Sequence, residues 1–367
     1  YITKDREWYT GDMLKDIEVY KDFSLIKKYS DNVVLYYKDG SYVLQKKHGL
    51  FKSIVKELDI AFPIVHGTNV EDGVLQGYLQ TIGIPYVGPN VYAAVVGQDK
   101  AFMKDVWASA NLPIKNYVWF YDNDYRQDPE EVIKKVSKLK YPVIVKPATT
   151  GSSVGINVCD DESSLKEAID EAVQYDSKIV VEEVVEDLKE VNIAVMGNYE
   201  HQKVSEIEEV LSGNKFLTYT DKYIGGGKTK GKLKTPVKGA SKGMASASRK
   251  LPADLDDDVR KEVERVAKEA FKVLGSSGNS RIDFLIDRKD NKVYLNEINS
   301  IPGSLAFYLW DAKDINFTKV LDDMINIGIK DYKKRVSKTH SFETNILAGF
   351  ASNGGLKGTK GVKGKLR

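Results

Sequence analysis

The chain has a single cysteine, Cys159, so no intrachain disulfide can staple it and no thiolate cluster can hold a metal; that count fits a reducing compartment. Net charge is nearly absent as well. Against 53 Asp and Glu stand 55 Lys and Arg, and the resulting +2 gives no reason to expect nucleic acid or a membrane as the main partner. No apolar run approaches the roughly 20 residues that span a bilayer. IAFPIV, from Ile60 to Val65, is among the longest and reads as one buried strand. No internal repeat defines the fold, and the GxxxxGK[ST] phosphate loop is missing. The opening YITKDREWY has no initiating Met, so a segment upstream of Tyr1 is expected. A soluble, cytoplasmic protein acting on a small or neutral substrate suits these absences.

What is present is enough core for two or three lobes: 367 residues, 42% of them hydrophobic. Residues 1–97 alternate apolar runs (NVVLYY, IAFPIVHG, GIPYVG) with helix-like stretches (HGLFKSIVKEL, DGVLQGYLQTI), an α/β pattern with a parallel sheet. Residues 98–185 read as the helix QDKAFMKDVWASA, a helix opened by Pro129, the strand YPVIVKP, a Gly/Ser loop, the strand INVC, a helix and the strand KIVVEEVV. Residues 186–340 hold EVNIAVMG, a helix from about 256 to 274, and the hairpin RIDFLIDRKDNKVYLNEIN turning at Asp290 and Asn291. Gly, Lys and Ser crowd 224–250, long for a connection, so a mobile lid is expected over 217–250. The segment 341–367 ends in a basic Gly-Lys tail expected to be flexible.

Two stretches carry chemistry. In VIVKPATTGSSVGINV a strand delivers Lys146, and the following turn offers backbone N–H groups and hydroxyls that suit phosphate oxygens. The same text also describes an ordinary Gly/Ser-rich hairpin connection. In the hairpin, alternation puts Arg281, Asp283 and Leu285 on one face of the first strand and Val293, Leu295, Glu297 and Asn299 on one face of the second. If those faces coincide, Asp283, Glu297 and Asn299 gather three oxygen ligands, a hard set that selects Mg²⁺ or Mn²⁺. A solvated charged face is the other account of any one of them. HGTNVEDG closes a strand with His66, Glu71 and Asp72 where open sheets bind ligands. Lys222 and Tyr223, in YTDKY, either anchor a lid or flank a loop.

In this order, HGTNVEDG, QDK at 98–100, YPVIVKPATTGSSVG, VVEE, KEVNIAVMG, YTDKY, RIDF and LNEINSIPG resemble the ATP-grasp superfamily, and within it the D-alanine:D-alanine ligase family, over residues from about 60 to 330. The resemblance implies an ATP-grasp fold, with ATP held between the central lobe and the C-terminal lobe, each of α+β build. It implies an ADP-forming ligation of two D-alanines through an acyl phosphate, for peptidoglycan precursor synthesis. Lys100 and Lys146 would hold ATP phosphates under the loop Gly151, Ser152, Ser153 and Val154. Glu182 or Glu183 would lie at the adenine hinge and Glu190 at the ribose. Lys222 would reach the transferred phosphate from the closing loop, with Tyr223 beside it. Asp283, Glu297 and Asn299 would hold two magnesium ions. Arg281 and the Gly303 backbone would form the oxyanion site, and Ser152 would also face the substrate.

Glu71 and Asp72 match the family's acidic pair near the first substrate, as scaffolding. The family's amino-terminal strand and glutamate-containing turn lie upstream of where this chain starts. Tyr308 stands where typical members place a small hydroxyl residue that binds the second substrate's carboxylate. The acceptor therefore stays open among D-alanine, D-serine, D-lactate and other amino acids. A nucleotide-binding protein without ligase activity is the alternative of another class, and a homodimeric assembly is left open.

Overall fold

The computed structural model describes residues 1–49, 53–151, 154–211 and 248–338, which build three antiparallel sheets with helices packed against them. The first sheet runs β1 (Trp8–Thr10), β2 (Asp31–Lys38), β3 (Ser41–Lys46) and β4 (Ile54–Leu58) in sequence order, with helix α1 (Phe23–Tyr29) leading into β2. It is not the parallel sheet that the apolar rhythm of residues 1–97 predicts. Asp39 and Gly40, with φ of 49° and 91°, make a two-residue turn that folds β3 back on β2, Lys38 opposite Ser41. Strands joined that tightly pair only antiparallel, because a parallel pair needs a long crossover. The second half of the helix-like HGLFKSIVKEL is itself β4. Among the described residues of this region parallel pairing survives as one bridge, Ala61 beside Tyr86, reached through helix α2 (Val74–Ile82).

Helices α3 (Val91–Gln98) and α4 (Lys100–Ser109) meet at Asp99, which interrupts the single helix read from QDKAFMKDVWASA. Its carboxylate accepts the N–H groups of Ala101 and Phe102, capping α4 so that Lys100 is its first residue. The second sheet has the order β5-β8-β6-β7, from β5 (Tyr117–Tyr121), β6 (Val143–Pro147), β7 (Asn157–Cys159) and β8 (Lys178–Glu183). Between them come α5 (Asp122–Gln127), α6 (Pro129–Val136) and α7 (Glu162–Ala172). Pro129 opens α6 behind the Asp128 cap, as the sequence predicts, and Val132, Ile133 and Val136 bury against Val143, Val145, Leu165 and Ile169.

The third sheet has the order β11-β10-β9-β12-β13: β9 (Leu188–Gly197), β10 (Gln202–Leu211), β11 (Ser248–Lys250), β12 (Gly278–Asp287) and β13 (Lys292–Asn299). Period-two alternation along β9 sends Val191, Ile193 and Val195 into one core with α8 (Asp257–Val273), whose Val263, Val266, Ala270 and Phe271 are buried there. Side chains of this size stabilise by about 1.5–3 kcal/mol each when fully buried. Ala194 and Met196 face the other way, onto Leu309 and Trp310 of α9 (Phe307–Asp311) and Val320 and Met324 of α10 (Phe317–Val336). Two residues back on that second face, apolar Ala194 gives way to Asn192, and the polar site begins there.

Two close approaches tie Tyr86–Gly88 to this sheet. A Cβ on Gly278 would stand 2.8 Å from Gly88 Cα, and one on Gly328 would stand 2.8 Å from the Tyr86 carbonyl oxygen. Among the described residues no helix is long and apolar enough to cross a membrane.

Candidate active site

Lys146 lies in β6, a strand buried at every position, and its ammonium is paired with Glu182 of the adjacent β8 and donates to Asn296 Oδ1 at 3.2 Å. Glu182 is 2% exposed and also meets Lys104, one turn beyond Lys100 on α4, at 2.7 Å. Burial opposes the charged form of Glu182, but Lys104 and Lys146 outweigh it and hold the carboxyl down to about 2. Burial lowers the pKa of Lys104, with Glu182 opposing. Lys100 donates to the Thr150 carbonyl at 2.9 Å, bringing the second lysine to the loop after β6. Its pKa is lowered by burial first, opposed by the charge of Glu297 and pushed further down by Lys146. The contact of Lys146 with Asn296 brings this lysine of the second sheet to the residue beside Glu297 on the third.

The loop itself is partly described. Gly151 has open space where a side chain would be, and Val154 N–H reaches back to the Gly151 carbonyl at 3.5 Å. Gly155 needs its missing side chain, since at φ 68° a Cβ would lie 2.6 Å from the Tyr175 ring. Ser152, Ser153, Lys222, Tyr223, lid residues 217–247 and the tail 341–367 lie outside the described residues.

On the third sheet, Arg281 pairs with Asn299 and Asp283 with Glu297 across β12 and β13, so these four share a face as the hairpin reading expects. Val293 and Leu295 do not join them. The register shifts after Asp283, leaving Asn296 as an extra residue, and Leu295 then pairs with Phe284 in the core. The bulge separates an apolar half of β13 from a polar half. Arg281 grips Asp283 through two hydrogen bonds of 2.6 and 2.7 Å, and Asn299 Nδ2 donates to Asp283 at 3.3 Å. Burial works against the Arg281 charge, but Asp283 more than compensates and raises the guanidinium above its ordinary pKa.

Asp283 and Glu297 are two carboxylates beside the amide of Asn299, the donor chemistry that suits Mg²⁺ completed by phosphate oxygens and water. A carboxylate offers about four lone-pair sites, so the Arg281 fork and a cation are compatible on Asp283. No group of three or more His, Cys, Asp or Glu side chains fit to hold a metal occurs among the described residues.

The same strand registry extends the polar row to Asn192 on β9 and Glu208 on β10. Asn192 Nδ2 donates to Glu208 at 3.1 Å, and Tyr308 donates its hydroxyl to the same carboxylate at 2.7 Å. Tyr308 reaches this row through an unusual turn: Ser304, Leu305 and Ala306 all have positive φ, 52°, 54° and 47°. Three consecutive left-handed residues with side chains cost on the order of 1–2 kcal/mol each, and Asn279 holds them in place. Its Nδ2 donates to the Leu305 carbonyl at 2.6 Å while its Oδ1 accepts the Trp310 indole N–H at 3.0 Å. Gly303 opens this turn. Burial raises the Tyr308 pKa, and Glu208 raises it further.

Other candidates are occupied in holding loops. Glu183 accepts from Asn116 and from the Lys140 backbone, both at 3.1 Å, on the opposite face of β8 from Glu182. Glu71 accepts the Gly67 N–H at 3.0 Å and Asp72 the Asn69 N–H at 2.7 Å. His66 lies 4.0 Å from Glu71. Glu190 sits on β9, two residues before Asn192 and therefore on the same face.

Two family models cover this chain: the D-ala D-ala ligase N-terminus matches residues 1–89 and the D-ala D-ala ligase C-terminus residues 106–326, which contain most of the site just described. The chain belongs to the D-alanine–D-alanine ligase family. A D-alanine–D-alanine ligase of Thermosipho africanus is 37% identical, the match covering 95% of this chain and 88% of that one. Among solved structures, the D-alanine–D-alanine ligase of Coxiella burnetii superposes with a TM-score of 0.73 at 26% identity, covering 92% of this chain and 85% of that one. The VanG D-Ala:D-Ser ligase of Enterococcus faecalis superposes with a TM-score of 0.70 at 27% identity, covering 89% and 88%. The fold is therefore the α/β ATP-grasp fold that the resemblance implies.

Several residues of this family member's site are silent in the sequence reading. Lys104 had a signal, since four residues after Lys100 on a helix means the same face. Asn192 and Glu208 had none, because their meeting depends on strand order. Asn279 and Asn296 are likewise visible only once the turn and the bulge are in place.

Proposed function

We propose that the chain joins two D-alanine molecules, with ATP converted to ADP and phosphate, to give the dipeptide used in peptidoglycan precursor synthesis. The observation that carries this is the hydrogen bond of Lys146 to Asn296 at 3.2 Å, which brings the lysine before the Gly/Ser loop to the residue next to Glu297, itself paired with Asp283. Lys100 and Lys146 neutralise phosphate oxygens of ATP, under a loop that includes Gly151, Ser152, Ser153 and Val154. Glu182 or Glu183 lies where the interlobe hinge meets adenine, and Glu190 takes the ribose. Asp283, Glu297 and Asn299 would hold magnesium, which would supply charge neutralisation on the transferred phosphoryl group.

A carboxylate oxygen of the first D-alanine attacks the γ-phosphorus, the bond to the β-phosphate oxygen breaks, and ADP leaves. The neutral amine of the second D-alanine then attacks the acyl carbon. Arg281, kept charged and oriented by Asp283, and the backbone N–H at Gly303 stabilise the oxyanion. The carbon–oxygen bond breaks, phosphate departs, and the ammonium formed loses its proton. No side-chain nucleophile is needed. Lys222 and Tyr223, outside the described residues, are the candidates the resemblance supplies for shielding the acyl phosphate from water. A cytoplasmic setting, where ATP and reduced thiols are found, is part of this reading.

Incubation of the full-length protein with ATP, magnesium and D-alanine is expected to give ADP and D-alanyl-D-alanine in equal amounts. A panel with D-serine and D-lactate as acceptors tests the second reading, favoured by the change at Tyr308. Absence of ADP with every amino acid would leave a nucleotide-binding protein without ligase activity.

A further inference from the structure

Lys178 opens β8 and is a buried cation that the mechanism above does not use. Its ammonium pairs with Asp99 at 2.5 Å. Aromatic rings close its other sides: the nitrogen lies 3.3 Å from the ring centroid of Phe102, 5.4 Å from that of Trp119 and 5.6 Å from that of Tyr121. Phe102 belongs to α4 and the other two to β5, so both elements grip the charge. Asp99 turns its second oxygen to the N–H groups of Ala101 and Phe102, the cap that makes Lys100 the first residue of α4. The main chain makes a further tie. The Lys178 carbonyl accepts the Ala148 N–H at 2.9 Å, and the Ala148 carbonyl accepts the Lys100 N–H at 3.0 Å. Two residues before Lys178, Asp176 accepts the Thr149 N–H at 2.6 Å and the Thr149 hydroxyl at 2.8 Å. Lys100 and the start of the loop it reaches at Thr150 therefore hang from the same end of β8.

We infer that Lys178 is a positioning residue which, through Asp99, aims the Lys100 ammonium at the phosphates of ATP. The inference rests on the reading of Lys100 as a phosphate ligand. A lysine ammonium rides on a flexible stem, so its reach is set by where its Cα is held and in which direction the stem leaves the helix. Both are fixed here by the first turn of α4. Capping alone does not call for a buried cation: Asp128 and Asp161 cap α6 and α7 from exposed positions, whereas Asp99 does so buried, with Lys178 as its counter-charge. A buried ion pair is often no more stabilising than apolar side chains of the same size. What this pair supplies is the register of α4 against β8, and with it the place from which Lys100 extends.

The test is a double-mutant cycle on nucleotide binding by the full chain in magnesium. It is read as the ratio of the affinity for ATP to that for adenosine, which shares the base and sugar but has no phosphate. A variant that merely loosens the fold weakens both ligands and leaves the ratio in place. Lys100→Met is expected to lower the ratio by about 10-fold or more, as loss of a charge-assisted hydrogen bond does. Lys178→Met is expected to lower it by ~5-fold or more in the wild-type background and by less than about 2-fold in the Lys100→Met background, because residues that act as a unit do not add. Should Lys178→Met not fold, Asp99→Asn takes its place in the cycle, since the amide oxygen still caps α4 while the charge that holds Lys178 is gone. An unchanged ratio in the variant used, or an equal fall with Lys100 already removed, overturns the positioning assignment alone. An unchanged ratio in Lys100→Met overturns the phosphate role of Lys100 and this inference with it.

Discussion

Asp283 and Glu297 face each other across the β12–β13 hairpin, and they do so because Asn296 is bulged out of the register between them and the core residues of β13. Without the extra residue Glu297 would follow Leu295 into the core, since strand side chains alternate. Replacing Glu297 by Gln removes a charge at nearly constant volume. We expect kcat to fall by about 100-fold or more, with a melting temperature within ~2 °C of wild type. Rates of ADP release at saturating magnesium, beside a thermal melt, check both halves, and a wild-type rate contradicts the metal assignment.

Glu182 is the counter-charge for two buried lysines. Glu182→Gln leaves Lys104 and Lys146 facing each other without it, a change of the kind that costs about 3–5 kcal/mol. The KM for ATP is expected to rise as well, because Lys146 loses the partner that aims it. The wild-type carboxyl, held down to about 2, contributes stability that is complete above its unfolded value and is lost as pH falls through its folded one. Acid titration of the melting temperature should therefore show a loss between roughly pH 4.5 and 2 that Glu182→Gln lacks.

Asn279 holds a strained turn from a buried position. Asn279→Leu strands the Leu305 carbonyl and the Trp310 indole N–H, each at a cost of about 1–3 kcal/mol. Because that turn places Gly303 and Tyr308, the variant is expected to lower kcat more than it raises the KM for ATP. Equal loss in both, at unchanged stability, contradicts the positioning role.

Cys159 is fully buried, and burial pushes its thiol up to about 11, with Asp160 and Asp161 adding to the effect. In the folded protein at neutral pH a water-soluble disulfide reagent should react at least ~100-fold more slowly than with the unfolded chain. Prompt labelling of the native protein would mean that the α6–α7 core is open.

The sequence reading succeeds where local pattern and pairing agree. On β12, Ile282, Phe284 and Ile286 point to the core and Arg281 and Asp283 to the site, as strict alternation requires. It fails on β13 because one bulged residue reverses the phase, and no residue type marks Asn296 as the extra one. In residues 1–97 the Asp39-Gly40 turn was the better signal, but the rhythm of apolar and helix-like stretches pointed to crossovers and a parallel sheet. Lys100 and Lys146 were legible from motif order. Arg249 and Glu208, 41 positions apart, meet only when β11 has paired with β10.

The central claim, that the two lysines and the Asp283–Glu297 face serve a phosphorylated carboxylate, is tested most directly with D-alanine carrying heavy oxygen in its carboxylate. The account predicts that each released phosphate carries one labelled oxygen, because the attacking carboxylate oxygen leaves with the phosphoryl group. Unlabelled phosphate, or release of AMP in place of ADP, would contradict it.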